Sequence, residues 1–206
     1  MTKIKSYRLV KEITTGEYKE RGSKFLAFVF PCDNIDFAKL KIDELRKEHP
    51  NAVHVCFAWR FGKSKYEERY SDDGEPNNSA GKPIFGQIIA NDITNVMIAV
   101  VRYYGGTNLG VGGLINAYRT ASQSALEKST IEEKYISDFY ELLFSYEETG
   151  TVMNLLHRYN VEIVAQNFDT SGPSIQFKCQ VDRSALILQS FENPALYKLR
   201  LIETEA

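Results

Sequence analysis

The sequence holds only three cysteines, Cys32, Cys56 and Cys179, and they lie far apart. With no CxxC pair, neither a disulfide framework nor a cysteine zinc site is indicated. Long apolar runs are also missing, since nothing approaches the roughly 18 residues that a bilayer span needs. The first residues, Met-Thr-Lys-Ile-Lys-Ser-Tyr, have no apolar core of the kind a signal peptide carries. A cytoplasmic protein with no membrane partner is therefore expected. Neither sign of charge dominates, with 25 Lys+Arg against 27 Asp+Glu. Strong non-specific nucleic-acid binders are usually far more basic. Internal repeats and low-complexity tracts are absent as well, which excludes solenoids and disordered linkers as the organising theme.

What is present suits a folded chain. Its 206 residues are 43% hydrophobic, enough for one large domain or two small ones with a real core. The charge is unevenly spread. Residues 1–130 carry 19 Lys+Arg against 15 Asp+Glu, and residues 131–206 carry 6 against 12. An anionic partner would meet the N-terminal part.

Periodicity organises the chain. Tyr7–Thr14 and Phe25–Pro31 read as strands, with a charged turn over Gly16–Gly22. Asp33 or Asn34 caps a helix to about Glu48 with Ile35, Ala38, Ile42 and Leu45 inward, and His49-Pro50-Asn51 stops it. Val53–Phe61 is apolar on both faces and reads as a central strand. Lys63–Tyr70 reads as a charged hairpin arm or edge, and Ser71–Gly81 as polar and turn-rich. A short helix starts near Gly81–Pro83 with Ile84, Ile88 and Ile89 inward. Then come a strand over 95–103, a glycine loop, and a helix to about Lys128 with Leu114, Ala117, Tyr118, Ala121 and Ala125 on one face. A polar boundary falls near 129–137. Beyond it Phe139–Tyr146, a helix from Thr149 or Gly150, Val161–Asn167, a turn at Asp169–Pro173, Ile175–Val181, a helix capped by Asp182 and Leu196–Ile202 give β-α-β-β-α-β, the ferredoxin-like order. That last helix has Ala185, Leu186, Leu188 and Phe191 on its inner face.

Three constellations could carry chemistry. The glycine loop places five glycines in the nine residues Gly105–Gly113 between a strand and a helix. Backbone N–H groups and a helix N-terminus can hold a small anion there, with Arg102 and Thr107 adding a charged donor and a hydroxyl. The spacing is neither that of a Walker loop nor that of a dinucleotide fingerprint, and a tight strand–helix crossing would also use glycine. The acidic loop holds Asp72, Asp73 and Glu75 within four residues. They could bind Mg²⁺ or move a proton in a metal-assisted hydrolase, or they could bond the local backbone of a turn. His54 and Cys56 share one strand face, as a nucleophile and base would, or as buried core residues would.

Four motifs in order resemble the IMPACT/YigZ family: Arg21-Gly22-Ser23-Lys24-Phe25; Ala52-Val53-His54-Val55-Cys56; Asp72-Asp73-Gly74-Glu75-Pro76 through Ala80-Gly81-Lys82-Pro83-Ile84; and Arg102-Tyr103-Tyr104 through Gly113-Leu114 with Ala117-Tyr118. The C-terminal part is similar to the small domain of bacterial members, itself similar to the last domain of elongation factor G. The resemblance implies an α+β protein. A ribosomal-protein-S5 domain-2-like first domain over 1–131 would precede a ferredoxin-like second domain over 138–206. It implies a non-enzymatic, translation-associated regulator that contacts RNA, the ribosome or a ribosome-bound protein. It brings no catalytic residue, metal or cofactor. Eukaryotic members act on a translation kinase through a separate RWD domain that is not recognisable here, so that activity is not carried over. The candidate binding residues are Lys24, His54, Asp72, Asp73, Glu75, Arg102, Tyr104, Gly105, Gly106, Thr107, Asn108, Gly110, Gly112 and Gly113. Many members carry Ser-Gly-Thr where Asn77-Asn78-Ser79 stands, and Lys and Arg where Asn108 and Asn116 stand. The loop is therefore less basic, which weakens phosphate attraction.

Overall fold

Three helices are set among seven strands in the first two thirds of the chain, in a computed structural model that describes residues 5–63, 65–170 and 172–204. They are β1 (Ser6–Val10), β2 (Thr14–Glu20), β3 (Ser23–Pro31), α1 (Ile35–Glu48), β4 (His54–Phe61), β5 (Glu67–Ser71), α2 (Gly81–Ala90), β6 (Val96–Tyr103), α3 (Gly110–Leu126) and β7 (Ile131–Tyr135). The remainder holds β8 (Ser137–Phe144), α4 (Thr149–Arg158), β9 (Glu162–Asp169), β10 (Gly172–Gln180), α5 (Ser184–Ser190) and β11 (Tyr197–Thr204). The fold is mixed α/β with three sheets among the described residues. The described residues divide into two units, Tyr7–Lys134 on the one hand and residues 5–6 with 135–204 on the other. Residues 1–4 of the N-terminal stretch, Ser64 of the Lys63–Tyr70 arm and Ser171 of the Asp169–Pro173 turn lie outside the described residues.

In the first unit five antiparallel strands run β2-β3-β6-β4-β5. The apolar run before the glycine loop is its centre, and β6 is buried on both faces. One face, including Phe25, Cys56, Ile98 and Val100, packs on Ile84 and Ile88 of α2 and on Leu114, Ala117, Tyr118, Ala121 and Ala125 of α3. The other, including Phe57, Trp59, Met97 and Ala99, packs on Ala38, Ile42 and Leu45 of α1. This two-sided cover explains why β4 and β6 read as continuous apolar runs rather than alternating ones. Helix α1 begins as expected: the Asn34 side chain accepts from Phe37 N at 2.9 Å.

Several expectations are corrected. Gly16–Gly22 is not a turn but mostly β2, and the reversal is confined to Arg21-Gly22, both at positive φ. Charged residues on an exposed edge hid the strand, and Gly16 has a packing role. A Cβ there would lie 2.4 Å from Ala125 N, so its absence lets α3 cross β2 closely. The polar stretch near 129–137 contains β7, which pairs with β1 in a two-stranded ribbon. Ile89 faces outward at 45% exposure.

In the second unit four antiparallel strands run β11-β8-β10-β9. Tyr140, Leu142, Phe144, Ile175 and Phe177 pack with Val152 and Leu156 of α4 and with Ile187 of α5. Asp182 does not cap α5. Arg183 holds that position without a side-chain bond. On α5 Leu188 and Phe191 pack inward as expected and Ile187 joins them, while Ala185 and Leu186 are exposed, Leu186 by 60%.

Candidate functional site

Antiparallel register sets Phe25, Arg102 and His54 side by side across β3, β6 and β4. Residues opposite one another in a ladder share a face, here the face covered by α2 and α3. The acidic loop after β5 closes over this end of the sheet.

Each carboxylate of that loop has a separate task. Asp72 Oδ1 accepts from Ala80 N at 2.9 Å and Gly81 N at 2.8 Å, and its Oδ2 accepts from Asn78 N at 2.8 Å. Helix α2 has no capping side chain at Ala80 itself. Asp72 supplies the missing acceptor from upstream and places negative charge at the helix N-terminus. Asp73 Oδ2 accepts from Val55 N at 2.7 Å, and its Oδ1 pairs with Arg46 at 2.6 Å. Glu75 is buried, and its Oε1 accepts from Arg102 Nη1 at 2.6 Å and from the Tyr118 hydroxyl at 2.7 Å.

His54 Nδ1 lies 2.7 Å from the Asp73 carbonyl oxygen. A carbonyl can only accept, so Nδ1 carries the proton. Its Nε2 stands 4.0 Å from Glu75 Oε2. Cys56 Sγ donates to the Asp72 carbonyl at 3.0 Å rather than to His54. Burial drives the Cys56 thiol and the Tyr118 hydroxyl far above their ordinary pKa values. The thiolate is the nucleophilic form; with Cys56 and His54 each bonded to a loop carbonyl rather than to one another, the arrangement supports the buried-core reading of this pair.

Arg102 lies within this cluster. It is 6% exposed, its charge is matched by Glu75, and its guanidinium lies 5.4 Å from the Phe25 ring centroid and 5.6 Å from that of Tyr104. It supports the loop from beneath through Nη1, while its buried Nε has no partner among the described residues. Lys24 faces the opposite side of the sheet, next to Tyr103 in the ladder, and pairs with Glu17 at 2.9 Å. It does not join the cluster.

The glycine loop has two kinds of position. A Cβ on Gly105 would lie 1.9 Å from the Gly22 carbonyl carbon, and Gly105 N donates to Ser23 Oγ at 3.1 Å. This backbone crossing ties the loop to the Arg21-Gly22-Ser23 turn. Gly113 is crowded by Leu109 Cβ at 2.9 Å. Gly106, Gly110 and Gly112 have nothing within 4 Å of a built Cβ. Thr107 and Asn108 are exposed, and the half-exposed Tyr104 donates to Asn108 Oδ1 at 3.3 Å. Helix α3 starts at Gly110 with no side-chain cap, so its first N–H groups face the loop surface unsatisfied by a side chain.

The structure thus brings His54, Asp72, Asp73, Glu75 and Arg102 into one network, with Gly105 fastened beside it. Tyr104, Gly106, Thr107, Asn108, Gly110 and Gly112 form the open rim. The sequence places Tyr118 on the core face of α3 and in the last motif but does not pair it with Glu75, and it gives no sign of Arg46. A tyrosine on an otherwise apolar helix face was the available signal, because a buried hydroxyl needs a partner. Among the described residues no group of three or more His, Cys, Asp or Glu side chains is placed to hold a metal ion.

Comparison with known proteins places these motifs. Residues 21–126 match the family model of the Impact N-terminal domain. The chain is 33% identical over 167 residues to an IMPACT family member of Haemophilus influenzae, covering 80% of this chain and 81% of that one. It is 34% identical over 150 residues to the Escherichia coli IMPACT family member YigZ, covering 72% and 74%. A crystal structure of a hypothetical protein superposes with a TM-score of 0.66 at 28% identity, covering 97% of this chain and 98% of that one.

Proposed function

The chain belongs to the IMPACT family, and on that premise we propose that it is a non-enzymatic binding protein of the translation machinery, contacting RNA, the ribosome or a ribosome-bound protein. The observation that carries this reading is the state of the acidic loop. Asp72, Asp73 and Glu75 are all committed to backbone N–H groups, to arginines or to Tyr118. A general base or metal ligand needs lone pairs aimed at a substrate, whereas the bonds these carboxylates make fasten the acidic loop to the start of α2 and to β4, α1, β6 and α3. This arrangement supports the binding reading over the hydrolase alternative. What remains available is the surface above: Tyr104, Gly106, Thr107, Asn108, Gly110 and Gly112, where backbone donors can meet a partner or a small anion.

The domain assignments follow the same premise. The first unit, a five-stranded antiparallel sheet with helices on both faces, suits a ribosomal-protein-S5 domain-2-like domain, proposed over 1–131. The second unit, β-α-β-β-α-β with sheet order β11-β8-β10-β9, suits a ferredoxin-like domain, proposed over 138–206.

Co-sedimentation of the full chain with ribosomes and with RNA, across a salt series, tests this. Association at low salt that weakens as salt rises is expected. Absence of association with every fraction at low salt would sink the reading.

A further inference from the structure

Between α2 and α3 runs an open groove of about 570 Å³. Pro83, Gly86 and Ile115 line its apolar part, and Lys82, Gln87 and Arg119 stand along it with Asn78. Three observations about this groove are independent of the loops beneath. First, Gly86 sits in the interior of α2, where glycine is the poorest helix former after proline. A Cβ there would meet nothing within 4 Å, so packing gives no reason for it. Second, neither helix contains an acidic residue, and Asp92 is the single one between 81 and 126. Third, Lys82 and Arg119 are exposed, and among the described residues neither pairs with a carboxylate.

We infer that this groove docks an acidic amphipathic peptide segment of a partner protein, an inference that rests on the binding-protein reading above and names its partner. Aliphatic side chains of the segment would lie over Pro83, Gly86 and Ile115. Glycine keeps that floor low, so a partner backbone can approach. Carboxylates beside them would meet Lys82 and Arg119, and Asn78 and Gln87 would bond the segment's polar groups. The lining contains no aromatic ring. Single-stranded nucleic acid is held mainly by stacking on aromatics together with phosphate contacts, so a peptide fits this surface better than RNA does.

The test uses the full chain and fluorescence anisotropy. The probes are a labelled peptide of about 15 residues with leucines at helical spacing flanked by glutamates, the same peptide with lysines, and an unstructured oligouridylate. The glutamate peptide is expected to bind, and the lysine peptide is not. Gly86→Leu fills the groove with a good helix former, so its melting temperature stays at or above that of the unaltered chain while affinity falls about tenfold or more. Combined Lys82→Glu and Arg119→Glu should lower affinity comparably through like-charge repulsion. Unchanged affinity in folded Gly86→Leu would overturn the groove as the site. Binding of oligouridylate that these substitutions abolish, without peptide binding, would overturn the acidic-peptide occupant and leave the binding-protein reading intact. Failure of all three probes overturns the inference, and ribosome co-sedimentation then decides the broader reading separately.

Discussion

The interior cluster around Glu75 and the outer face of α2 and α3 are built from neighbouring stretches of the same motifs, yet they use polar residues in opposite ways. In the cluster every carboxylate is bonded, and Arg102, Tyr118 and Cys56 are buried with it. On the outer face Lys82 and Arg119 have no acidic partner among the described residues, and Gly86 stands clear of any neighbour. Dense motifs of charged residues and glycine therefore mark two different things in one domain. Some residues lock loops to the end of a sheet, and others keep a surface open.

Substitutions can break this contrast. The largest effect is expected at Glu75. Glu75→Ala leaves Arg102 buried without its counter-charge, and chemical denaturation should register a loss of about 3–5 kcal/mol. A loss near zero would mean that the pair is solvated and not a lock. Gly105→Ala should follow, at about 1–3 kcal/mol or more, because its methyl group would overlap the Gly22 backbone. Asp72→Ala removes the acceptor for two backbone N–H groups at the start of α2 and for Asn78 N in the loop before it, and a loss of about 1–2 kcal/mol is expected. The smallest effect has the opposite sign. Gly86→Ala, on the open face, should raise stability by roughly 0.5–1 kcal/mol, since alanine is the better helix former and nothing obstructs it. If Gly105→Ala and Gly86→Ala behaved alike, the division between crowded and open glycines would fail.

Much of this was legible in the residues. The Asn34 cap, the α1 stripe of Ala38, Ile42 and Leu45, and the α3 stripe from Leu114 to Ala125 follow from local rules, and all appear. Strand β2 was hidden because Glu17 and Lys19 on an exposed edge look like turn residues, and because the function of Gly16 depends on α3, over a hundred residues away. On α5 Leu188 and Phe191 face inward as their spacing suggests, but Ile187 replaces Leu186 inside, since a seven-residue helix is too short for a periodicity to settle. At the site, the sequence named Asp72, Asp73, Glu75 and Arg102 as a group but could not assign their partners. That Arg102 meets Glu75 rather than a ligand depends on the register of β6 between β3 and β4, which is a tertiary property. His54 and Cys56 were correctly placed on one face, while the carbonyls of Asp73 and Asp72 that claim them come from a separate loop.

The most direct measurement is a double-mutant cycle on the buried pair, Glu75→Gln combined with Arg102→Met, read by both denaturation and ribosome co-sedimentation. Removing both charges should recover much of the stability that Arg102→Met or Glu75→Gln alone forfeits, a coupling of about 1–3 kcal/mol, with association unchanged. Recovered stability with association lost would contradict the distinction drawn between lock and surface, because the pair itself would then meet the partner.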